Sequence, residues 1–185
     1  MRLSNHTTLG RMKGALRVSM TLAAVLMASS GAHAATNDAT ATITVKATFV
    51  SSLCDVEMPN RIFLGSILPR AISYAPFTLQ IRCPDAASTA ALYGVAVGTT
   101  MDTASRLNMT NVNGDAGTPA KLWFTEGGKP GEIPLGPDGL TDNSKQFCKG
   151  VGQIQTCVLT PWTFSTADTP KGETTATVTF TVVVP

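Results

Sequence analysis

Two stretches of this chain alternate apolar and polar residues with a period of two, and together they restrict the fold more than anything else in it. In the first, Ala39, Ala41, Ile43, Val45, Ala47 and Phe49 take every second position, while Asp38, Thr40, Thr42, Thr44, Lys46 and Thr48 fill the gaps. In the second, Ala176, Val178, Phe180, Val182 and Val184 alternate with Thr175, Thr177, Thr179 and Thr181. Successive side chains of a strand point to opposite faces, so each run is a strand with one face made for a core and one for water. No stretch signals a helix of any length, and repeats are absent.

Between these two runs the chain spells short strands broken by turn residues. Arg61–Gly65 is a short apolar strand after Pro59-Asn60, and Phe77–Cys83 places Phe77, Leu79, Ile81 and Cys83 on one face. Leu92–Val97, a weaker Arg106–Thr110 and Lys121–Glu126 follow, separated by Asn113-Gly114 and by Gly127-Gly128-Lys129-Pro130-Gly131. The Asn-Gly pair tolerates positive φ, which is turn chemistry. Val158–Phe164 contains Pro161, which predicts an edge or a bulge because proline cannot donate to the ladder. Cys54 shares parity with Val50 and not with Phe49, which predicts a bend near Val50. Several short strands with Gly, Pro and Asn punctuation indicate an all-β sandwich.

The first 34 residues read as a signal peptide. Arg2, Arg11, Lys13 and Arg17 precede the apolar run Val18–Ala28, and Ala32-His33-Ala34 offers small residues for cleavage after Ala34. Without them the chain has 185 − 34 = 151 residues, one domain's worth, and 10 Lys+Arg against 12 Asp+Glu, a net charge of −2. That balance leaves no basic patch for nucleic acid. No later stretch reaches roughly 18 consecutive apolar residues, the length of a membrane span.

Both histidines, His6 and His33, fall in the part expected to be removed. Serine and cysteine nucleophiles usually lean on a histidine base, and zinc sites are built largely from His and Cys. The acids, such as Asp102, Asp115, Asp138 and Asp142, are scattered singly among turn residues and read as solvated surface. The expectation is a protein that is not an enzyme and holds neither metal nor cofactor. Trp123 and Trp162 fit core anchors better than a ligand groove.

Cys54, Cys83, Cys148 and Cys157 all lie beyond the signal segment, and an even number in an exported chain reads as two disulfides. Four cysteines permit three connectivities, which sequence alone does not choose among; sequential pairing, Cys54–Cys83 and Cys148–Cys157, is the expectation adopted. A Cys54–Cys83 bridge would tie two strands and stabilise by roughly 3–4 kcal/mol in the chain-entropy model. A Cys148–Cys157 bridge would pin a tight local loop.

The leading strand lacks a Gly or Pro stop, so nothing local folds it back into a hairpin. The long final strand, left as an edge, would invite aggregation. A strand supplied by a neighbouring molecule solves both problems, with main-chain hydrogen bonds for affinity and alternate side chains for specificity. Repeated head to tail, such a contact does not close and yields a fibre. Pairing with another copy, not with its own domain, is therefore the expectation for residues 35–47.

An amino-terminal extension leading to FVSSLC at 49–54, RIFLGSI at 61–67, FTLQIRC at 77–83 and GETTATVTFTVVV at 172–184, in that order behind a signal peptide, resembles the pilins of the bacterial chaperone–usher pathway, the type 1 and P fimbrial subunits. The Cys54 to Cys83 spacing is similar to that family's core disulfide, and the Cys148–Cys157 loop is additional to it. The resemblance implies an incomplete, six-stranded immunoglobulin-like sandwich at 48–185, completed by donor-strand complementation. By matching positions, Ala39, Ala41, Ile43 and Val45 of the 35–47 extension would be donor residues. Ala176, Val178, Phe180, Val182, Val184 and Pro185 would flank the acceptor groove and bind the chaperone. Implied partners are neighbouring pilus subunits, a periplasmic chaperone and an outer-membrane usher, with export through the periplasm to the cell surface in support of adhesion. The alternative reading is a specialised minor or adhesin subunit whose 123–164 region binds a host glycan or protein receptor.

Overall fold

The computed structural model describes residues 39–49 and 54–184. The signal segment, the bend expected near Val50 and the expected groove residue Pro185 lie outside the described residues. Among the described residues strands follow one another: β1 (Ala39–Phe49), β2 (Asp55–Glu57), β3 (Arg61–Ile67), β4 (Ile72–Ser73), β5 (Phe77–Arg82), β6 (Thr89–Val97), β7 (Leu107–Asn108), β8 (Thr110–Asn111), β9 (Lys121–Glu126), β10 (Phe147–Val151), β11 (Ile154–Phe164) and β12 (Glu173–Val183). Two short 3-10 turns, Pro137–Leu140 and Asn143–Lys145, interrupt the loop between β9 and β10. The all-β expectation holds.

The strands form two sheets. One runs β10-β6-β12-β1-β3, with β8 beside the start of β12; the other runs β2-β5-β11-β9-β7, with β4 beside β11. Alternate residues of both sheets fill the space between them: Ile43 from β1, Leu79 and Ile81 from β5, Leu92 from β6, Leu122 and Phe124 from β9, Leu159 from β11, and Val178, Phe180 and Val182 from β12. Burying a side chain of this size contributes roughly 1.5–3 kcal/mol. Phe180 is the hub, edge-on to Phe124 at 5.8 Å and to Phe147 at 5.6 Å. Directly across from it on β6 sits Gly94, where an added Cβ would come within 2.8 Å of Leu135 and 3.0 Å of Phe180. The glycine makes room for the ring.

Pro161 departs from expectation. It lies in β11, an interior strand flanked by β5 on one side and β9 on the other. The reason is a gap between two partners: β5 pairs with β11 only as far as Leu159, and β4 takes over at Trp162. The Pro161 carbonyl accepts from Tyr74 N at 3.0 Å on that side. In a strand the N–H and C=O of one residue point the same way, so the missing donor faces the gap and no ladder bond is lost.

The tryptophans also depart from it. Leu122 and Phe124 point inward, so Trp123 between them points outward, paired across the strands with Trp162. Their rings stack with centroids 6.1 Å apart, and the Arg106 guanidinium covers Trp123 at 4.4 Å. Arg106 is held there by Glu132, with Nε to Oε1 at 2.9 Å. That hydrogen bond raises the arginine pKa further above its ordinary value. Trp123 is buried by this cap and not by the core.

Candidate functional site

The leading strand occupies a slot in its own domain. Over its described part, Ala39–Ala47, the leading stretch pairs with its own sandwich, against expectation: β1 lies between β12 and β3, hydrogen-bonded to both. Against β12 it runs parallel, with Ile43 opposite Ala176, Val45 opposite Val178 and Phe49 opposite Val182. Against β3 it runs antiparallel, with Ile43 opposite Ile62 and Ala41 opposite Gly65. The register slips between Ala41 and Thr42, and Gly65, at φ +79°, supplies the left-handed residue that this bulge needs. Val45 N donates to Asn60 O at 3.1 Å and Thr40 N to Gly172 O at 3.2 Å, so the slot is bonded beyond its ladders.

The side chains divide as the period predicts. Ala41 and Ile43 are fully buried and Ala39 and Val45 nearly so, while Thr40, Thr42 and Thr44 are half-buried on the opposite face and Lys46 is exposed. Ala47 shares the parity of the inward residues yet is exposed; pairing with β3 ends at Arg61, opposite Thr44, and leaves that side of β1 open. On β12, Ala176, Val178, Phe180 and Val182 are buried and Val184, just past its end, packs against the core half-buried. The structure therefore brings the expected donor residues and the expected groove residues together, within one molecule.

Sequence reasoning missed the second wall of the slot. Ile62 and Leu64 of β3 pack partly buried against the core and Ile67 is buried. In its sheet, among the described residues, β3 pairs with β1 and with no other strand. Pulling β1 out would separate β3 from β12 and open the core along the full length of the strand. The signal was present in the alternation of Ile62, Leu64 and Ser66, but a glycine at 65 disguised the bulge.

Chain connectivity fixes the direction of this strand. Between Phe49 and Cys54 stand four residues, whose five steps reach at most about 18 Å. The 11 residues of β1 span roughly 36 Å. Turned end for end in the same slot, β1 would leave its final residue a strand's length from Cys54, beyond reach. A strand from the same chain can only lie parallel to β12. A strand from another molecule is free of that tether and can lie either way, antiparallel to β12 only by becoming parallel to β3.

Cys54 and Cys83 are joined, with an S–S distance of 2.05 Å, which ties the start of β2 to the end of β5 where Asp55 and Arg82 pair. The second expected bridge is not formed: Cys148 and Cys157 are buried free thiols. They stand on β10 and β11, a tight hairpin whose two strands belong to different sheets. The Cys148 side chain, then burial and the Glu126 carboxylate, push the Cys157 thiol far above its ordinary pKa.

Elsewhere the surface is modest. A cavity of about 250 Å³ opens between Met101, Ala104, Pro134 and Leu135, with Asp138 and Lys145 at its edge. In the 123–164 region Arg106 caps Trp123 and leaves Trp162 half-buried, while Leu140, Val151, Ile154 and Val158 are exposed. Among the described residues there is no cluster of His, Cys, Asp or Glu able to hold a metal ion, and no helix is long and apolar enough to cross a membrane. The ion pairs Arg82–Glu57, Lys121–Asp102 and Lys129–Glu126 lie on the outside of the second sheet. Exposed pairs of this kind contribute about 0–1 kcal/mol each.

No family model matches the sequence, and no curated protein matches it. Among solved structures the chain is similar to the crystal structure of the P pilus rod subunit PapA, at 10% identity over 62% of this chain and 82% of that one, with a TM-score of 0.43. A likeness that slight carries no argument about fold or function.

Proposed function

We propose that this protein is a structural subunit of a bacterial surface fibre, in which β1 of one copy leaves its own slot and fills the slot of the next. The observation that supports the reading is the position of β1. It is a core strand, holding two neighbours together, yet it is attached to the remainder of the domain by one short link at Phe49–Cys54. Such a strand can be exchanged between copies without breaking any other pairing.

In its own slot the strand lies parallel to β12 and antiparallel to β3; in a neighbour's slot, freed of its tether, it can also lie the other way, which exchanges the two ladders. The self-filled monomer is then a stored form. Unfilled subunits would expose the slot, so a periplasmic chaperone lending a strand and an outer-membrane usher directing exchange are the partners this reading requires. The signal segment, export to the cell surface and a part in adhesion complete it.

The test is to produce the exported protein without residues 35–47 and add a synthetic peptide of that sequence. The truncated chain is expected to aggregate or melt without cooperativity alone, and to form a 1:1 complex with a cooperative thermal transition when the peptide is present. A truncated chain that stays monomeric and melts as the intact one does would sink the proposal.

A further inference from the structure

We propose that Asn113 is a site of self-modification: the main-chain nitrogen of Gly114 displaces the Asn113 side-chain amide as ammonia, and the altered turn loosens the brace that meets the start of β1. The turn runs from Asn111 to Gly114 and is closed by Gly114 N donating to Asn111 O at 3.2 Å. No other asparagine in the chain is followed by glycine. Both residues are exposed, and no atom beyond the chain neighbours lies within 4 Å of where a Cβ on Gly114 would stand. With no side chain of its own and open space around it, that nitrogen is unshielded on its way to the adjoining Cγ.

Hydrogen bonding separates Asn113 from the other asparagines near it. Asn111 is pinned at both ends of its carboxamide: Oδ1 accepts from Asn113 N at 2.9 Å and from Asp115 N at 3.3 Å, and Nδ2 donates to Lys171 O at 3.2 Å. The nitrogen that follows it, on Val112, is committed to Glu173 O at 2.9 Å. Asn108 Nδ2 donates to Thr100 Oγ1 at 2.9 Å. The nitrogen after Asn143, on Ser144, donates to the Asp142 carboxylate at 2.8 Å, a charge-assisted bond of the stronger kind. Among the described residues Asn113 donates through its main chain alone, and its carboxamide lies against Gly172, with Nδ2 3.1 Å from where a Cβ there would stand.

The step balances with water as the co-reactant. Gly114 N gives its proton to hydroxide and bonds to Asn113 Cγ, closing a cyclic imide, while the Cγ–Nδ2 bond breaks and the amide takes a proton from solvent and leaves as ammonia. Water then opens the imide. Cleavage between Cγ and nitrogen gives aspartate; cleavage between the Asn113 main-chain carbonyl carbon and nitrogen gives isoaspartate, whose main chain runs through the former side chain and is longer by a methylene.

What the turn braces gives the change its consequence. Asn111 and Thr110 of β8 pair with Thr174 and Thr175, while Asn111 Nδ2 and Val112 N hold the carbonyls of Lys171 and Glu173. The carbonyl between those two, on Gly172, accepts from Thr40 N of β1 at 3.2 Å. Either product sets a new carboxylate in the turn that carries Asp115 and holds Glu173, and like charges repel. A lengthened or repelled turn loosens residues 171–173, so an older copy holds the start of its β1 less firmly than a new one.

Full-length protein recovered from export is kept at mildly alkaline pH, native and in denaturant, and its tryptic peptide Leu107–Lys121 is sequenced by mass spectrometry. The native sample is expected to convert at Asn113, with isoaspartate among the products, ahead of Asn108 and Asn111 in that peptide and of Asn143 elsewhere. Conversion at Asn113 in denaturant alone, or in neither sample, overturns the proposal, as does faster conversion at any of the other three. A second arm compares amide hydrogen exchange in the aged chain and in an equally aged Asn113→Gln variant, whose longer side chain closes the imide slowly. Thr40 N–H is expected to exchange about fivefold faster in the converted chain, the effect of losing one hydrogen bond. Equal rates with Asn113 converted overturn the link to β1.

Discussion

β1 and β12 carry the same alternation, threonine on one face and aliphatic residues on the other, and lie side by side in one sheet, yet they do opposite jobs. β12 is braced by β6 along seven paired positions on one side and carries Phe180, the ring around which Phe124 and Phe147 pack. β1 carries nothing larger than Ile43 among its buried donor residues, and its inward face begins with two alanines. One strand holds the domain up; the other closes it. The difference teaches that a strand's replaceability is set by how the chain reaches it and by how much volume it delivers, not by its pattern.

A proline on each strand sets the two apart most sharply. Thr179→Pro removes a ladder donor from an interior strand and is expected to abolish the folded state, read as loss of a cooperative thermal transition. Thr44→Pro in β1 is expected to eject that strand alone, leaving a domain whose transition returns on addition of the unsubstituted 35–47 peptide. Identical behaviour of the two variants would break the contrast. Next in size, Phe180→Ala should lower stability by about 3–5 kcal/mol in chemical denaturation, and added peptide should not restore it. Ile43→Val should lower it by only about 0.5–1.5 kcal/mol, and excess unsubstituted peptide should restore the difference by displacing the variant strand.

The smallest effect tests a region that belongs to neither strand. Asp142 accepts from Ser144 N at 2.8 Å and Ser144 Oγ at 2.7 Å, and the hydroxyl, then the backbone N–H, hold its carboxyl below the ordinary carboxylate pKa. A depressed folded pKa means stability that is present above the unfolded pKa and lost as pH falls through the folded one. Asp142→Ala should therefore lower the melting temperature slightly at neutral pH, and the difference should vanish on acidification through the carboxylate range. A difference that grows in acid would reverse the assignment.

Much of the architecture was written in local pattern. The period of two marked β1, β5 and β12 and the faces they bury, because alternation is a property of a strand whatever it pairs with. Cys54 and Cys83 were legible for the same reason, each standing at a strand end. The pattern is silent about partners, since one backbone ladder is chemically like another. That β1 sits in its own slot was decided by a reach of four residues from Phe49 to Cys54, which also set its direction. That Pro161 sits inside a sheet was decided by the gap between β4 and β5. That Cys148 takes a left-handed backbone conformation, where no propensity would place a cysteine, goes with the register shift of β10 against β6. Sequence alone determined which residues want to be strands and which face they hide; tertiary structure decided which strand each one lies against, because pairing depends on distances along the folded chain that no local window contains.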